Sequence, residues 1–323
     1  MTTPASTDTE SAASRARRVG EGVPAPLVFV GGSGRSGTHV VARLLGHHSR
    51  YLNVSNEVRF HAAAGGFPDL LSGTVDLDQF LRSLRKRWWR DFEPVRMSFR
   101  GLHRHISRER FEIAVERFRS SFATDREGAC RELFFELLWP LAEQAKKPGL
   151  IEMSCDTIAA APTLIELFPE AKFVHCVRDG RDAAASRSSQ GGRLIGPRNL
   201  LEGIDWWDGR MREMNRGARP IASDRIMVVS LDELVALSRK RTLRRLMRFL
   251  KLESEPGLTA FFHRRMNSDN AHRERWRGGL DEATQAAVDA RYREVLERLE
   301  ADNIQGWRAL CRVQQELDKG LGR

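Results

Sequence analysis

Residues Gly31–His39, GGSGRSGTH, follow the apolar run Pro26–Val30, PLVFV. A short apolar run closing on glycines reads as a buried strand. Beyond Ser36, residues Val40, Val41, Leu44 and Leu45 recur at helical spacing up to Gly46. The glycine loop therefore joins a strand to a helix N-terminus. Such a junction offers unpaired backbone N–H groups at the positive end of a helix dipole, a place that favours an anion. Arg35 and the hydroxyls of Ser36 and Thr38 add donors. A turn needed only for its shape calls for one or two glycines, not four beside a cation.

Four more strand-like runs follow: RYLNVSN (50–56), GLIEMS (149–154), AKFVHCVRD (171–179) and RIMVVS (225–230). Helix patterns lie between and after them, over 77–92, 107–122, 129–147, 159–169, 180–189, 198–218, 231–252 and 281–302. The alternation predicts an α/β protein with a central, mostly parallel sheet and helices on both faces. Ligands bind such sheets beyond the carboxyl ends of the strands. Three clusters fall there: 31–39, 178–186 and 57–61. Residues 1–24, rich in Ser, Thr, Ala and Arg without apolar periodicity, read as a disordered leader. The remainder, 25–323, reads as one domain with a helical insertion over about 60–145. No internal repeat is visible.

The hydrophobic content of 41% suits a packed core. The net charge of +10 favours phosphorylated ligands, polyanions or anionic membranes. Nearly all the basic residues are Arg, and many alternate with acids as on solvated helix faces. There is no zinc-finger spacing and no aromatic-interleaved basic motif, so no nucleic-acid partner is expected. No secretory-type apolar stretch and no membrane-length run is present, so a cytoplasmic protein without a membrane span is expected. Cys130, Cys155, Cys176 and Cys311 are scattered without a C-x-x-C and read as reduced thiols, not as a disulfide framework or a zinc site. Nothing in the pattern specifies an oligomeric state.

The glycine loop admits several ligands. Gly32, Gly34 and Gly37 fit G-x-G-x-x-G, and Glu57 lies twenty residues past Gly37, where a ribose-binding acid belongs. An NAD- or FAD-dependent oxidoreductase is thus one reading. A magnesium–ATP site is disfavoured, because Thr38 and His39 stand where Lys and Ser/Thr are required. No Walker B carboxylate is evident either, since FVHCVRD places Arg178 before Asp179. A second cationic cluster tilts the balance. AKFVHCVRDGRDAAAS sets Arg178 and Arg181 at a strand end and Ser186 within the following helix. A strand-end Arg grips phosphate bidentately. A nicotinamide enzyme has no evident need of this second site; a nucleotide with phosphates at two separated positions does.

Together the two clusters resemble the signatures of PAPS-dependent sulfotransferases. Arg35-Ser36-Gly37-Thr38 is similar to the family's 5′-phosphosulfate loop. FPEAKFVHCVRDGRDAAAS, Phe168–Ser186, is similar to its 3′-phosphate motif almost throughout. NAHRERWRGGLDEATQAAVD is similar, more weakly, to its C-terminal segment. The resemblance spans about residues 27–300 and implies a P-loop NTPase-like sulfotransferase fold. It implies sulfuryl transfer from PAPS to a hydroxyl of a small-molecule, carbohydrate or lipid acceptor, with no metal required. Gly34 to His39, centred on Arg35, Ser36, Gly37 and Thr38, would hold the 5′-phosphosulfate. Arg178 and Ser186 would hold the 3′-phosphate, and Arg275 or Arg277 would close over the nucleotide.

Arg35 is the expected stabiliser of charge on the group that moves. The expected general base is Glu57, with His61 second and His39 third. One departure concerns the family's Lys after the third strand, which would fall at Met153, with Asp156 an unexplained polar residue nearby. A non-catalytic nucleotide-binding relative is the reading that this departure keeps open. Residues 60–125 and 187–200 are expected to shape the acceptor pocket. Trp88, Trp89, Trp206 and Trp207 suit either stacking on an acceptor or anchoring a core. Arg90, Arg96, Arg100 and Arg104 suit either an acidic acceptor or a solvated face.

Overall fold

Leu27–Gly32 is buried along its whole length and forms β1, the middle strand of the principal sheet. Parallel sheets are covered on both faces, which is why this strand is apolar throughout and not alternating. A computed structural model of the chain describes residues 26–93, 98–189 and 196–320, with Ser11 and Ser14 besides. The expected leader, residues 1–24, lies outside the described residues apart from those two serines.

The remaining strands are β2 Tyr51–Asn53, β3 Asp91–Glu93, β4 Ser98–Arg100, β5 Gly149–Glu152, β6 Lys172–Val177 and β7 Ile226–Ser230. Five of them form one sheet in the order β2-β5-β1-β6-β7, and every pair is parallel. These are the five strands expected from sequence. The helices are α1 Thr38–Gly46, α2 Phe67–Ser72, α3 Leu77–Ser83, α4 Arg108–Phe122, α5 Arg126–Gln144, α6 Ala161–Leu167 and α7 Gly180–Ser188. They continue with α8 Leu200–Ala218, α9 Arg239–Leu250, α10 Pro256–Arg265, α11 Glu282–Ala301 and α12 Trp307–Asp318.

Alternate residues of β1 serve opposite faces, as the pleat requires. Leu27 and Phe29 pack with Phe134, Phe168 and Phe173. Val28 and Val30 pack with Val41, Leu45, Val174 and Leu246. A third apolar cluster, around Val177, Trp207, Tyr292 and Leu310, ties α7 and α8 to α11 and α12.

The strand order sets the position of the site. From β1 the chain runs through α1 to β2 on one side, whereas β6, on the other side of β1, leads on to β7. The paths diverge between β1 and β6, and ligands of open α/β sheets bind at such a point. The pairing of Gly32 with Cys176 brings the loop after β1 level with the residues that follow β6.

The insertion differs from the uniformly helical expectation. α3 runs into a wider, π-type turn over Leu84–Trp88, and the chain then forms the antiparallel hairpin β3–β4. Pro94, next after β3 in sequence, lacks the amide hydrogen a continuing helix needs. No helix among the described residues is long and apolar enough to cross a membrane.

Candidate active site

The glycine loop is wound tightly by left-handed backbone at Gly34, Arg35 and Gly37, with φ of 86°, 58° and 89°. Gly37 is fixed twice over, because a Cβ there would also lie 2.8 Å from Leu231. Arg35 holds the same left-handed geometry without glycine's freedom, the kind of local strain found at ligand clamps. Gly37 begins α1 with no side-chain cap. Ser36 is fully buried, and its Oγ has no hydrogen-bond partner.

Arg35 Nε donates to Ser186 Oγ at 3.0 Å, joining the glycine loop to α7 across the crevice. Arg178 donates to the Arg35 carbonyl at 3.4 Å and to the carbonyls of Ala271 and His272 at 3.1 and 2.9 Å. Its buried Nε has no hydrogen-bond partner.

The other charges of the R-D-x-R-D run face inward. Asp179 caps α7 and holds Arg181, accepting from its Nε at 3.0 Å and from a terminal nitrogen at 2.5 Å. Arg181 also bonds Asp289 and Gln314 and lies over the rings of Trp276 and Tyr292. Asp182 accepts from the backbone N–H of Glu274 at 2.9 Å and of Trp276 at 3.3 Å. Burial, with the Asp179 charge beside it, pushes the Asp182 carboxyl up to about 7. Arg178 thus faces the cavity, whereas Asp179, Arg181 and Asp182 fasten α7 to the C-terminal part of the chain.

Glu57 stands on the irregular stretch after β2, and only 12% of its side chain is exposed. His39 Nε2 lies 3.6 Å away, Arg59 Nε 3.7 Å and a terminal nitrogen of Arg100 4.0 Å. The Cys155 thiol donates to its carboxylate at 3.2 Å. Burial alone would raise the Glu57 carboxyl, but His39, Arg59 and the Cys155 thiol overcome it and hold it at about 2. Burial and that same carboxylate push the Cys155 thiol well above its ordinary range. Both clusters open on one cavity of about 1170 Å³, lined by Gly34, Arg35, His39, Glu57 and Arg178 among others.

The sequence model of the sulfotransferase family matches residues 26–256, a segment that takes in the whole sheet, both cationic motifs and Glu57. The chain belongs to the sulfotransferase family. A protein-tyrosine sulfotransferase of Drosophila melanogaster is 27% identical over 228 residues, which are 70% of this chain and 38% of that protein. The chain thus matches well under half of that relative's length. The sulfotransferase domain of the Synechococcus PCC 7002 olefin synthase is 19% identical, with a TM-score of 0.50 over 86% of this chain and 95% of that one. It shares the fold.

The expected site residues divide. Arg35, Gly34, Gly37, Thr38, His39, Arg178 and Glu57 line the cavity, and Ser36 and Ser186 adjoin it through the loop and Arg35. His61 is not brought there: it is fully buried and bound to Glu152 at 2.8 Å. Arg275 and Arg277 are exposed and do not line the cavity; Arg277 lies over the Trp276 ring and bonds Glu274 at 3.1 Å. The arginine of that segment turned inward is Arg273, 3.5 Å from the Asp232 carboxylate.

Met153 is a core residue beside Ile151 and Val174 and is 1% exposed. The side chains this turn gives to the cavity are those of Cys155 and Asp156. Arg210 of α8 holds Asp156 at 2.6 Å and reaches the Ser33 carbonyl at 3.4 Å, so a cation does stand beside this turn, supplied by another helix.

Trp206 lines the cavity. Trp88 and Trp207 are core, and Trp89 packs on Phe111. Arg100 and Arg104 line the cavity and Arg90 does not. Arg96 and residues 190–195 of the 187–200 loop lie outside the described residues. Arg87, Arg187, Arg210 and Cys155 line the cavity without having been assigned a role there from sequence, as does Arg59 of the 57–61 cluster. The spacing from Glu57 gave a signal only for Arg59. Among the described residues, no group of three His, Cys, Asp or Glu side chains is placed to hold a metal ion.

Proposed function

We propose that this chain transfers a sulfuryl group from PAPS to a hydroxyl acceptor and releases adenosine 3′,5′-bisphosphate. The observation that carries the reading is the Arg35–Ser186 contact of 3.0 Å, with Arg178 on the Arg35 carbonyl at 3.4 Å. Two cationic motifs separated by over 130 residues meet over the crevice between β1 and β6. This suits a ligand with anionic groups at two positions.

The buried polar atoms fit such a ligand. Ser36 Oγ and Arg178 Nε have no hydrogen-bond partner, and buried polar groups are normally satisfied. Anionic oxygens would satisfy both. Ser36, Thr38 and the backbone of Gly34–His39 would hold the 5′ end, with Arg178 and Ser186 at the 3′-phosphate. When bound, PAPS supplies an activated sulfuryl group whose S–O bond to the 5′-phosphate breaks as the bond to the acceptor oxygen forms.

Arg35 donates to the charge that develops on the oxygen losing that bond, a preorganised electrostatic role. Glu57 takes the proton of the acceptor hydroxyl. A carboxylate held at about 2 is a weak proton acceptor. An anion lodged against His39 offsets its field and raises the basicity of Glu57. Proton acceptance is thereby tied to donor loading. The acceptor class we assign is a hydroxyl-bearing small molecule, glycan or lipid.

The test is calorimetric titration with adenosine 3′,5′-bisphosphate, NAD⁺ and magnesium–ATP. The bisphosphate is expected to bind at about micromolar Kd or tighter, and the other two far more weakly. Preferential NAD⁺ binding would overturn the reading in favour of an oxidoreductase.

A further inference from the structure

Glu152 and His61 form a hydrogen-bonded pair in the middle of the apolar core. Both are fully buried. His61 Nε2 and Glu152 Oε2 are hydrogen-bonded at 2.8 Å. The imidazole stacks on Phe29 at 5.6 Å and meets the edge of Phe134 at 5.3 Å. Glu152 closes β5 and pairs in register with Phe29 of β1. A carboxylate here is costly to bury, and well-packed apolar residues would serve stability as well or better. Stability is therefore a poor account of the pair.

The hydrogen bonds lead elsewhere. Glu152 accepts from the Ser154 hydroxyl at 2.6 Å and from the Ser154 N–H at 3.0 Å. Ser154 Oγ in turn accepts from the Arg59 N–H at 3.1 Å. Arg59 is a non-glycine residue with φ of 64°, a conformation that needs outside support. One carboxylate thus fastens two separate segments: 59–61, joined to Glu57, and the turn that carries Cys155.

Both segments press a side chain on Glu57: Arg59 Nε at 3.7 Å and Cys155 Sγ at 3.2 Å. We propose that Glu152 and His61 are positioning residues that, through Ser154, hold Arg59 and Cys155 against Glu57 and fix its aim at the acceptor. This rests on the reading of Glu57 as general base. It gives His61, which does not line the cavity, a part in the site.

The groups facing Glu57 are His39 from α1, Arg59 from its own loop, Arg100 from β4 and Cys155 from the turn after β5. Releasing Arg59 and Cys155 removes two of the four interactions that favour the ionised carboxylate, so its pKa must rise. The acid limb of turnover then moves to higher pH. A merely structural loss does not move that limb.

The experiment compares Glu152→Gln, Ser154→Ala and Glu57→Gln by steady-state kinetics over pH and by calorimetry with adenosine 3′,5′-bisphosphate. Glu152→Gln is expected to lower kcat about tenfold to a hundredfold. It is expected to shift the acid limb upward and to leave bisphosphate affinity within about twofold. Ser154→Ala should act in the same direction with a smaller loss, and it decides the matter should Glu152→Gln fail to fold. Unchanged kcat and acid limb in Ser154→Ala and in any folded Glu152→Gln, beside an inactive Glu57→Gln, overturn this inference alone. A loss of bisphosphate affinity matching the loss of kcat also overturns it, since the role is then structural. A fully active Glu57→Gln overturns the base assignment and this inference together.

Discussion

The two sides of the cavity are built by different means. The side proposed for the nucleotide comes from two short stretches, Gly32–His39 and Arg178–Ser186, at the ends of two buried strands of the same sheet. Strand pairing at Gly32 and Cys176 brings them together, and the contacts of Arg35 with Ser186 and Arg178 span the gap. The Glu57 side is assembled from α1, the stretch after β2, the hairpin strand β4 and the turn after β5. No backbone ladder joins all of these. Their mutual placement depends on side chains: Glu57 with His39, Arg59, Arg100 and Cys155. One side is fixed by the sheet, the other by a web of charges. The first should bind its ligand even when the second is damaged.

Substitutions can break that independence or sharpen it. The largest expected effect is that of Glu57→Gln, which removes the proposed proton acceptor but keeps the shape. Turnover should fall about 10²- to 10⁴-fold, with bisphosphate affinity nearly unchanged by calorimetry. Comparable losses in both would show that the sides are coupled. Arg178→Ala comes next. Losing a charge-assisted grip on phosphate should weaken bisphosphate binding about tenfold to a hundredfold. At saturating donor, kcat should recover most of its value.

Gly37→Ala attacks the nucleotide side through the backbone. With φ at 89° and Leu231 in the way, it should cost about 1–3 kcal/mol of stability. Thermal unfolding measures the loss, and bisphosphate should recover part of it by binding the folded state. Cys155→Ala should have the smallest effect. It removes one hydrogen bond that favours the ionised Glu57 carboxylate, whose pKa lies below the ordinary value. Activity that needs the carboxylate is lost as pH falls through that pKa. The acid limb of kcat/KM should therefore move slightly upward, with turnover at neutral pH changed by no more than about threefold.

What the sequence disclosed follows the same division. All five strands of the main sheet were visible, because short β-rich runs bounded by glycines and turn residues are local signals. The strand-end positions of Gly31–His39 and Arg178–Ser186 followed from them, and the family match agrees with the likeness those motifs carry. Glu57 was marked by its place after the second strand.

Its neighbours were much less visible. Cys155 and Arg210 reach the cavity by tertiary packing, and nothing near them in sequence signals it. Met153 was singled out as standing at the place of the family's Lys, but its side chain packs into the core. His61, two residues past Arg59, is carried inward to Phe29 by the bend of the chain. The β3–β4 hairpin was missed because basic and aromatic residues around Trp88 and Trp89 mimic an amphipathic helix up to Pro94. α10 and α12 also went unassigned, although Pro256 at the start of α10 is an ordinary helix-opening signal.

The family match ends at residue 256, yet the fold does not. Beyond that point the carbonyls of Ala271 and His272 hold Arg178, and the amides of Glu274 and Trp276 seat on Asp182. Farther on, α11 and α12 close the apolar cluster around Trp207. A chain trimmed to the matched segment would keep both signature motifs. It would lose the carbonyls that hold Arg178 in place and leave Arg181 buried without Asp289 and Gln314. For anyone cutting a minimal version of this protein, the recognisable part is smaller than the working part, and the difference lies on the nucleotide side.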